Sequence, residues 1–131
     1  MLDTNICVEL ARRRAGTVLA RLRRRKIGTV GISSITLAEL EFGVARSRDA
    51  ARNRVALAHF CAALVIVPFD DLAAAAYGTV RAALETSGQP IGPLDTLIAA
   101  HAVSLRATLI TNNEREFRRV ARLKTENWLA S

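Results

Sequence analysis

Three carboxylates in this sequence stand beside short apolar segments, in positions where they could do chemistry together. Asp3 ends MLD at the start of the chain, Glu39 stands in SSITLAE, and Asp95 stands in GPLD. Clustered carboxylates repel, raise one another's pKa and cost stability unless a cation neutralises them. A hard divalent ion would neutralise such a cluster, and oxygen ligands favour Mg²⁺ or Mn²⁺ over zinc. Such a site is typical of phosphodiester hydrolysis, because the ion activates a water and stabilises the leaving oxygen.

Each of these acids also has a purely structural interpretation. Asp3 suits the N-cap of the helix that follows it. Glu39 stands three residues after Thr36, the spacing of a capping box. Ser33 and Ser34 are the other candidate caps of that helix. Asp95 lies in the first turn of the helix that opens at GPLD, where negative charge suits the helix dipole. The functional interpretation depends on their number, because three separate connections each bring one carboxylate to the same kind of place.

Short apolar runs of strand type alternate with helical patterns along the chain. Strands are predicted at MLD and over 29–33, 65–69 and 107–111, and helices over 6–13, 17–25, 37–45, 52–64, 71–87, 93–105 and 114–120. Parallel pairing follows, because each helix must carry the chain back across the sheet. We predict one α/β domain over residues 1–131, with three layers (α/β/α) and a short central parallel sheet. Ligands gather beyond the carboxyl ends of such strands, where Asp3 is expected.

Composition narrows the class of protein further. Half of the 131 residues are hydrophobic and 5% are aromatic, which favours a folded core over disorder. No apolar run approaches the roughly 18 to 20 residues of a membrane span, and the N-terminus lacks a signal-peptide pattern, so we expect a cytoplasmic protein. Cys7 and Cys61 stand apart from each other and form no close ligand pair with His59 or His101, so we expect buried thiols rather than zinc ligands.

The chain is strongly basic, and part of the positive charge is concentrated in one block. Lysine and arginine outnumber aspartate and glutamate by 19 to 12, which gives a net charge of +7. An acid-free block carries eight of the positive charges: Arg12, Arg13, Arg14, Arg21, Arg23, Arg24, Arg25 and Lys26. Such a block attracts phosphates without reading sequence. A solvated helix face is the alternative interpretation, and charge alone does not separate RNA from DNA or from an acidic protein.

Four segments, in this order and at this spacing, resemble those of PIN-domain ribonucleases, and specifically of the VapC toxins of bacterial toxin–antitoxin pairs: LDTN, SSITLAELEFG, PIGPLDTLIAAHA and LITNNEREF. The resemblance covers essentially the whole chain. It implies a Mg²⁺- or Mn²⁺-dependent endoribonuclease that cleaves structured RNA, such as tRNA or rRNA, and so inhibits translation. Asp3, Glu39 and Asp95 match the family's catalytic metal ligands. The basic block, apart from Arg21, would then hold RNA phosphates.

The chain departs from the family at its fourth acidic position, in the loop after the last main strand. Asn113 stands there, and Glu116 follows three residues later. We expect Asn113 to orient a metal-bound water, with Glu116 as the alternative that restores the missing charge. The neutral amide also weakens the case for a second metal ion, because an amide coordinates without cancelling charge.

The resemblance also implies partners. A VapB-type antitoxin would cover the site, often by inserting a basic side chain among the carboxylates, and the toxin would form a homodimer within a larger assembly. Two other classes remain open from the sequence. One is a PIN-fold module that binds RNA or protein without cutting. The other is a DNA nuclease of the same fold, although those usually carry added arches or helices that this short chain lacks.

Overall fold

The structure is a computed structural model that describes residues 1–11, 16–26 and 28–129, and for residues 16–19 the backbone alone. Its helices are α1 (Thr4–Ala11), α2 (Gly16–Arg23), α3 (Ser34–Ala45), α4 (Ala50–Ala62), α5 (Asp71–Thr86), α6 (Pro93–Leu105) and α7 (Glu114–Phe117). Its strands are β1 (Gly31–Ser33), β2 (Val65–Val67), β3 (Leu109–Ile110) and β4 (Thr125–Glu126). Helices and short parallel strands alternate, which confirms the predicted α/β class.

The strands form two parallel pairs. β1 pairs with β2 with Gly31 opposite Val65, and β3 pairs with β4 with Leu109 opposite Thr125. Gly31 is required in this register, because a Cβ there would lie 2.8 Å from the carbonyl oxygen of Val65. β4 was not predicted from the sequence, since a strand of two residues is too short to show an alternating pattern.

The first residues of the chain join these two pairs into one sheet. Leu2 forms a parallel bridge to Ile110, and its N–H donates to the carbonyl oxygen of Gly31 at 2.9 Å. The N–H of Asp3 then donates to the carbonyl oxygen of Ile110 at 3.0 Å. The order across the sheet is therefore β2, β1, the Leu2 segment, β3 and β4. Asp3 lies at the carboxyl end of the central segment, as predicted.

Helices cover both faces of this sheet and enclose two apolar clusters. The first cluster packs α1 to α4 against one face and includes the buried residues Leu2, Ile6, Cys7, Val30, Ile32, Leu64, Ile110 and Trp128. The second packs α5 to α7 against the other face and includes Val80, Leu84, Ile98, Ala99, Ala100, Ala102, Leu109, Phe117 and Val120. The three layers follow from this arrangement. No helix in the described residues is both long enough and apolar enough to cross a membrane.

The start of α3 corrects the predicted capping box. The N-cap is Ser33, whose Oγ accepts a hydrogen bond from the N–H of Ile35 at 3.0 Å. Thr36 is therefore the third residue of the helix and is fully buried, and Glu39 lies in the second turn. A glutamate there is beyond the reach of the free N–H groups at the helix start. The capping-box interpretation of Glu39 is wrong.

Candidate active site

The three predicted carboxylates face one cavity at the carboxyl end of the central strands. This cavity, which we call the acid pocket, has a volume of about 290 Å³. Its lining includes Asp3, Thr4, Asn5, Glu39, Gly92 and Asp95. These residues come from the starts of α1 and α6 and from the second turn of α3. The fold thus brings together three acids that are far apart in the sequence.

Asp3 is the most buried of these acids, with 2% of its surface exposed. Its Oδ1 accepts a hydrogen bond from the N–H of Ile6 at 2.9 Å, so it does cap α1 as the structural interpretation predicts. Burial raises the pKa of Asp3, and the charge of Glu39 raises it further. Hydrogen bonds from the Thr111 hydroxyl and the Ile6 N–H oppose that rise. Asp3 therefore caps a helix and faces the acid pocket at once.

Glu39 is oriented by a side chain from another helix. The Thr4 hydroxyl, at the first residue of α1, donates to Oε1 of Glu39 at 2.7 Å. The Oγ1 atoms of Thr4 and Thr36 lie 3.2 Å apart. A short hydrogen bond to a charged acceptor is among the stronger polar contacts in a protein. This contact links α1 to α3 at the edge of the acid pocket.

Asp95 has the most strongly perturbed carboxyl group at the site. It lies in the first turn of α6, after Gly92 at the N-cap and Pro93 at the first helical position, as predicted. Its pKa is raised to about 6, first by burial and then by the negative charges of Asp3, Glu116 and Glu39. A carboxyl group that is half protonated near pH 6, because of burial and nearby negative charges, is typical of a functional site.

Asn113 and Glu116 lie beside the acid pocket and contact each other. Nδ2 of Asn113 donates to Oε2 of Glu116 at 3.2 Å, and the N–H of Asn113 donates to Oγ1 of Thr111 at 2.9 Å. Neither residue is in the cavity lining. Glu116 nevertheless acts on Asp95 through its charge. The amide of Asn113 thus holds an acid that contributes to the field of the pocket.

The charge of the acid pocket is not balanced by the described side chains. Their ion pairs are Arg54 with Glu41, Arg81 with Glu85, and Arg118 with Glu114, and none includes a pocket acid.

The donor set fits a hard divalent cation, since every side-chain donor facing the cavity is an oxygen or an amide. Asp3, Glu39 and Asp95 are the residues that could hold the ion. Within the described part of the chain, however, no three His, Cys, Asp or Glu side chains are grouped tightly enough to form a ready-made metal site. The three carboxylates thus share a negatively charged cavity but are not already arranged as a closed set of metal ligands.

The basic block lies at a different edge of the molecule as far as it is described. Arg12, Arg13 and Arg14 lie outside the described residues. Arg23, Arg24, Arg25 and Lys26 are exposed, at and just beyond the end of α2. The Arg25 guanidinium lies 5.5 Å from the centre of the Trp128 ring, and Arg25 lines a cavity with Met1 and Thr108. Met1 and Thr108 precede the central strands, so this group lies at their amino ends, opposite the acid pocket.

The two cysteines and His101 are not in the lining of the acid pocket and have structural roles. Cys7 is buried and Cys61 is partly buried, and both thiols are free. Nδ1 of His101 lies 2.8 Å from Oγ of Ser33, while its buried Nε2 has no hydrogen-bond partner within the described part of the chain. Burial lowers the pKa of His101, so the ring is neutral near pH 7. His101 therefore links α6 to the N-cap of α3, and neither cysteine belongs to the site.

Sequence reasoning missed the role of Thr4. Asp3 is a candidate because of its charge, whereas Thr4 enters the sequence argument only as a letter of LDTN. The signal that could have found it is its place directly after an acid at a strand end, where side chains point into the same cleft. Its partner Glu39 is 35 residues away, so no local pattern joins them.

The fold and the acid pocket define a class of nuclease-like domain, and comparison with known proteins identifies it. The sequence profile of the PIN domain matches residues 1–123. The tRNA(fMet)-specific endonuclease VapC of Shigella flexneri is 40% identical over 128 residues, covering 98% of this chain and 96% of the relative. Ribonuclease VapC2 of Rickettsia felis is 43% identical over 129 residues, covering 98% and 96%.

A solved structure agrees with this result. The crystal structure of VapBC2 from Rickettsia felis, bound to a DNA fragment from its promoter, matches with a TM-score of 0.92 and 40% identity over 98% of this chain and 97% of that chain. The chain belongs to the PIN-domain family and, within it, to the VapC ribonucleases. PIN-domain ribonucleases generally depend on a divalent metal ion, which the oxygen donors of the acid pocket fit.

Proposed function

We propose that this ribonuclease is the toxin of a toxin–antitoxin pair and cuts a structured RNA, with initiator tRNA as the first substrate to test. One observation carries the proposal: three carboxylates from three separate segments face one cavity, without a cationic side-chain partner among the described residues. The choice of tRNA is supported by the Shigella flexneri relative, whose name specifies tRNA(fMet). A cytoplasmic location is proposed with it, because tRNA is a cytoplasmic substrate.

Asp3, Glu39 and Asp95 are the proposed ligands of a Mg²⁺ or Mn²⁺ ion. When bound, that ion supplies an activated water and charge stabilisation for the leaving oxygen. The protein's own part is to orient the oxygens. The Ile6 N–H fixes one oxygen of Asp3, and the Thr4 hydroxyl fixes one oxygen of Glu39. The raised pKa of Asp95 makes it the acid whose ionisation is most sensitive to a bound cation.

We propose Glu116 rather than Asn113 as the residue that supplies the fourth charge. Glu116 raises the pKa of Asp95, so its carboxylate acts on the pocket. Asn113 donates to Glu116 and carries no charge of its own. This reverses the preference drawn from the sequence, in which Asn113 occupied the family's fourth position.

The basic block is proposed to bind RNA away from the scissile bond. Arg25 lies at the amino ends of the central strands and the acid pocket at their carboxyl ends, so at least the length of those strands separates them. A folded RNA is large enough to contact both edges. Arg25 is held over Trp128, which leaves Arg23 and Arg24 as the simpler residues to test.

An antitoxin is the proposed protein partner, because the related solved structures are VapBC complexes. A cavity of about 660 Å³ between α1, α3 and α4 offers a surface for it, with apolar walls that include Leu10, Leu40, Leu57 and Phe60. An amphipathic antitoxin helix fits such a groove. Leu57→Glu should weaken capture of the antitoxin encoded beside this gene and leave cleavage by the free toxin unchanged.

The decisive experiment is cleavage of purified substrates by the purified chain. We expect cuts in initiator tRNA with Mg²⁺ or Mn²⁺, and none with EDTA. Glu39→Gln should remove the activity, and Glu41→Gln, which changes an exposed glutamate paired with Arg54, should retain it. Equal cleavage of single-stranded DNA, or cleavage that survives EDTA, would refute the proposal. Cleavage confined to another RNA would support the ribonuclease activity but exclude initiator tRNA as the substrate.

A further inference from the structure

Two threonine hydroxyls from different helices and one pocket carboxylate are connected by successive hydrogen-bond contacts. The Oγ1 atom of Thr4 lies 2.7 Å from Oε1 of Glu39 and 3.2 Å from Oγ1 of Thr36. Thr36 is fully buried in the first turn of α3, and Thr4 is partly buried at the start of α1. Glu39 lies one turn beyond Thr36 on the same helix. The three side chains therefore connect the interior of the protein to the acid pocket.

The direction of these hydrogen bonds follows from proton counting. A hydroxyl carries one proton, and an ionised carboxylate only accepts. Thr4 must therefore give its proton to Glu39 and accept the proton of Thr36. Among the described residues, the buried Thr36 hydroxyl has no hydrogen-bond partner other than Thr4. A buried hydroxyl without a partner is costly, so Thr36 in turn holds Thr4 in place.

We infer that Thr4 and Thr36 are positioning residues that fix Glu39 for cation binding. Thr4 occupies Oε1, so Oε2 is the oxygen of Glu39 without a hydrogen bond among the described residues. The hydrogen bonds from Thr36 to Thr4 and from Thr4 to Glu39 restrict the long glutamate side chain before any ion binds. This restriction lowers the entropic cost of ion binding. This inference rests on the proposed function, because it requires that Glu39 bind a divalent cation.

The test is Mn²⁺ binding, measured by electron paramagnetic resonance on the full chain, beside thermal unfolding in EDTA. Removing the partner of a metal ligand typically weakens metal affinity by about 10- to 100-fold. Thr4→Val should therefore raise the Kd for Mn²⁺ by about tenfold. Thr4→Ser keeps the hydroxyl and should stay within about threefold of the wild type. Thr79→Val, on the exposed side of α5, is the matched control and should leave the Kd unchanged.

Thr36 supplies a second and independent measurement. Thr36→Val should raise the Kd by roughly threefold in the wild-type background, because Thr4 loses its orienting partner but keeps its bond to Glu39. In the Thr4→Val background the same change should have no further effect, since Thr36 acts only through Thr4. Thr4→Ala carries the same prediction as Thr4→Val if the valine variant does not fold.

The possible outcomes separate the inference from the proposed function. Wild-type Mn²⁺ binding that Thr4→Val leaves unchanged would overturn the positioning role alone. A lower melting temperature in EDTA with an unchanged Kd would do the same, because it would assign Thr4 to the stability of the fold. Equal losses in Thr4→Ser and Thr4→Val would show that the hydroxyl is not responsible. No Mn²⁺ binding by the wild type would overturn the metal site itself.

Discussion

Replacing Asp95 with asparagine should stabilise the metal-free protein at neutral pH, although it removes a residue of the active site. The side chains have nearly the same shape, so the change mainly removes a charge. Asp95 lies among other acids and its pKa is raised to about 6 from the ordinary value of 3.8. The ionised form is therefore less stable in the folded protein than in the unfolded chain.

The size of the effect follows from this pKa. A rise from 3.8 to about 6 corresponds to about 3 kcal/mol. Because Asp95 is only partly buried, solvent screening reduces this to about 1 to 2 kcal/mol. The loss of a negative charge in the first turn of α6 costs about 0.3 to 1 kcal/mol. The net gain is then about 1 kcal/mol, or roughly 3 to 6 °C in melting temperature for a chain of this size.

The pH dependence has a definite sign. Between pH 3.8 and about 6, the folded protein keeps a proton on Asp95 that the unfolded chain has released. Stability of the wild type therefore falls as pH rises through this window, and the deficit is complete above it. The advantage of Asp95→Asn should be full at pH 7.5 in EDTA and fall to about a third of that at pH 4.5. Saturating Mn²⁺ should reverse the order, because the ion stabilises the wild type by mass action.

The assay is thermal unfolding of both proteins at pH 4.5 and 7.5, with EDTA or with Mn²⁺. Asp71→Asn is the matched control, since it removes an exposed acid from the first turn of α5. By the same dipole argument its stability should be lower than that of the wild type by at most about 1 kcal/mol at pH 7.5, with no gain in any buffer. A destabilised Asp95→Asn at pH 7.5 in EDTA, or a gain equally large at pH 4.5, would refute the reasoning.

Three further results are expected. Asp3→Asn should abolish RNA cleavage in a gel assay while circular dichroism shows an intact fold, because the amide keeps the helix cap but not the charge. Glu116→Gln should lower cleavage nearly as much as loss of a pocket acid, and Asn113→Ala should lower it less, when both are measured across a Mg²⁺ titration. Arg23→Ala and Arg24→Ala should each reduce the slope of log affinity against log salt by roughly 0.7 to 0.9 if each contacts one phosphate.

A specific outcome would refute each of these three predictions. Wild-type cleavage by Asp3→Asn would remove that residue from the site. A larger loss from Asn113→Ala than from Glu116→Gln would restore the amide as the functional group of that loop. Arg48→Ala, at an exposed turn after α3, is the control for the salt slope. An equal change in slope for all three arginine variants would mean that net charge, rather than a defined surface, attracts the RNA.

Local sequence patterns predicted most of the elements that carry the site. The Gly92–Pro93 start of α6 and the place of Asp95 in its first turn are confirmed. These features depend on residues within one turn of each other, so backbone preference and capping chemistry are sufficient to predict them. The ends of other helices were less accurate: α2 ends at Arg23 rather than Arg25, and α7 ends at Phe117 rather than Val120.

Local patterns failed where two interpretations used the same residues. Thr36 and Glu39 have the spacing of a capping box, but the N-cap is Ser33 and the helix begins at Ser34. In the structure the Ser33 hydroxyl that caps α3 also lies 2.8 Å from Nδ1 of His101, which is 68 residues away. A motif of four residues cannot contain that information.

The sequence by itself determined that Asp3 follows a strand and that Asp95 opens a helix, that the chain is basic, and that helices and strands alternate. Only the tertiary structure decided which side chains act together. Thr4 meets Glu39 across 35 residues, Glu116 acts on Asp95 from another helix, and the described part of the basic block lies opposite the acid pocket. The physical reason is that propensity and capping act over a few residues, whereas charge, burial and side-chain hydrogen bonds act through space between segments that only the packed sheet brings together.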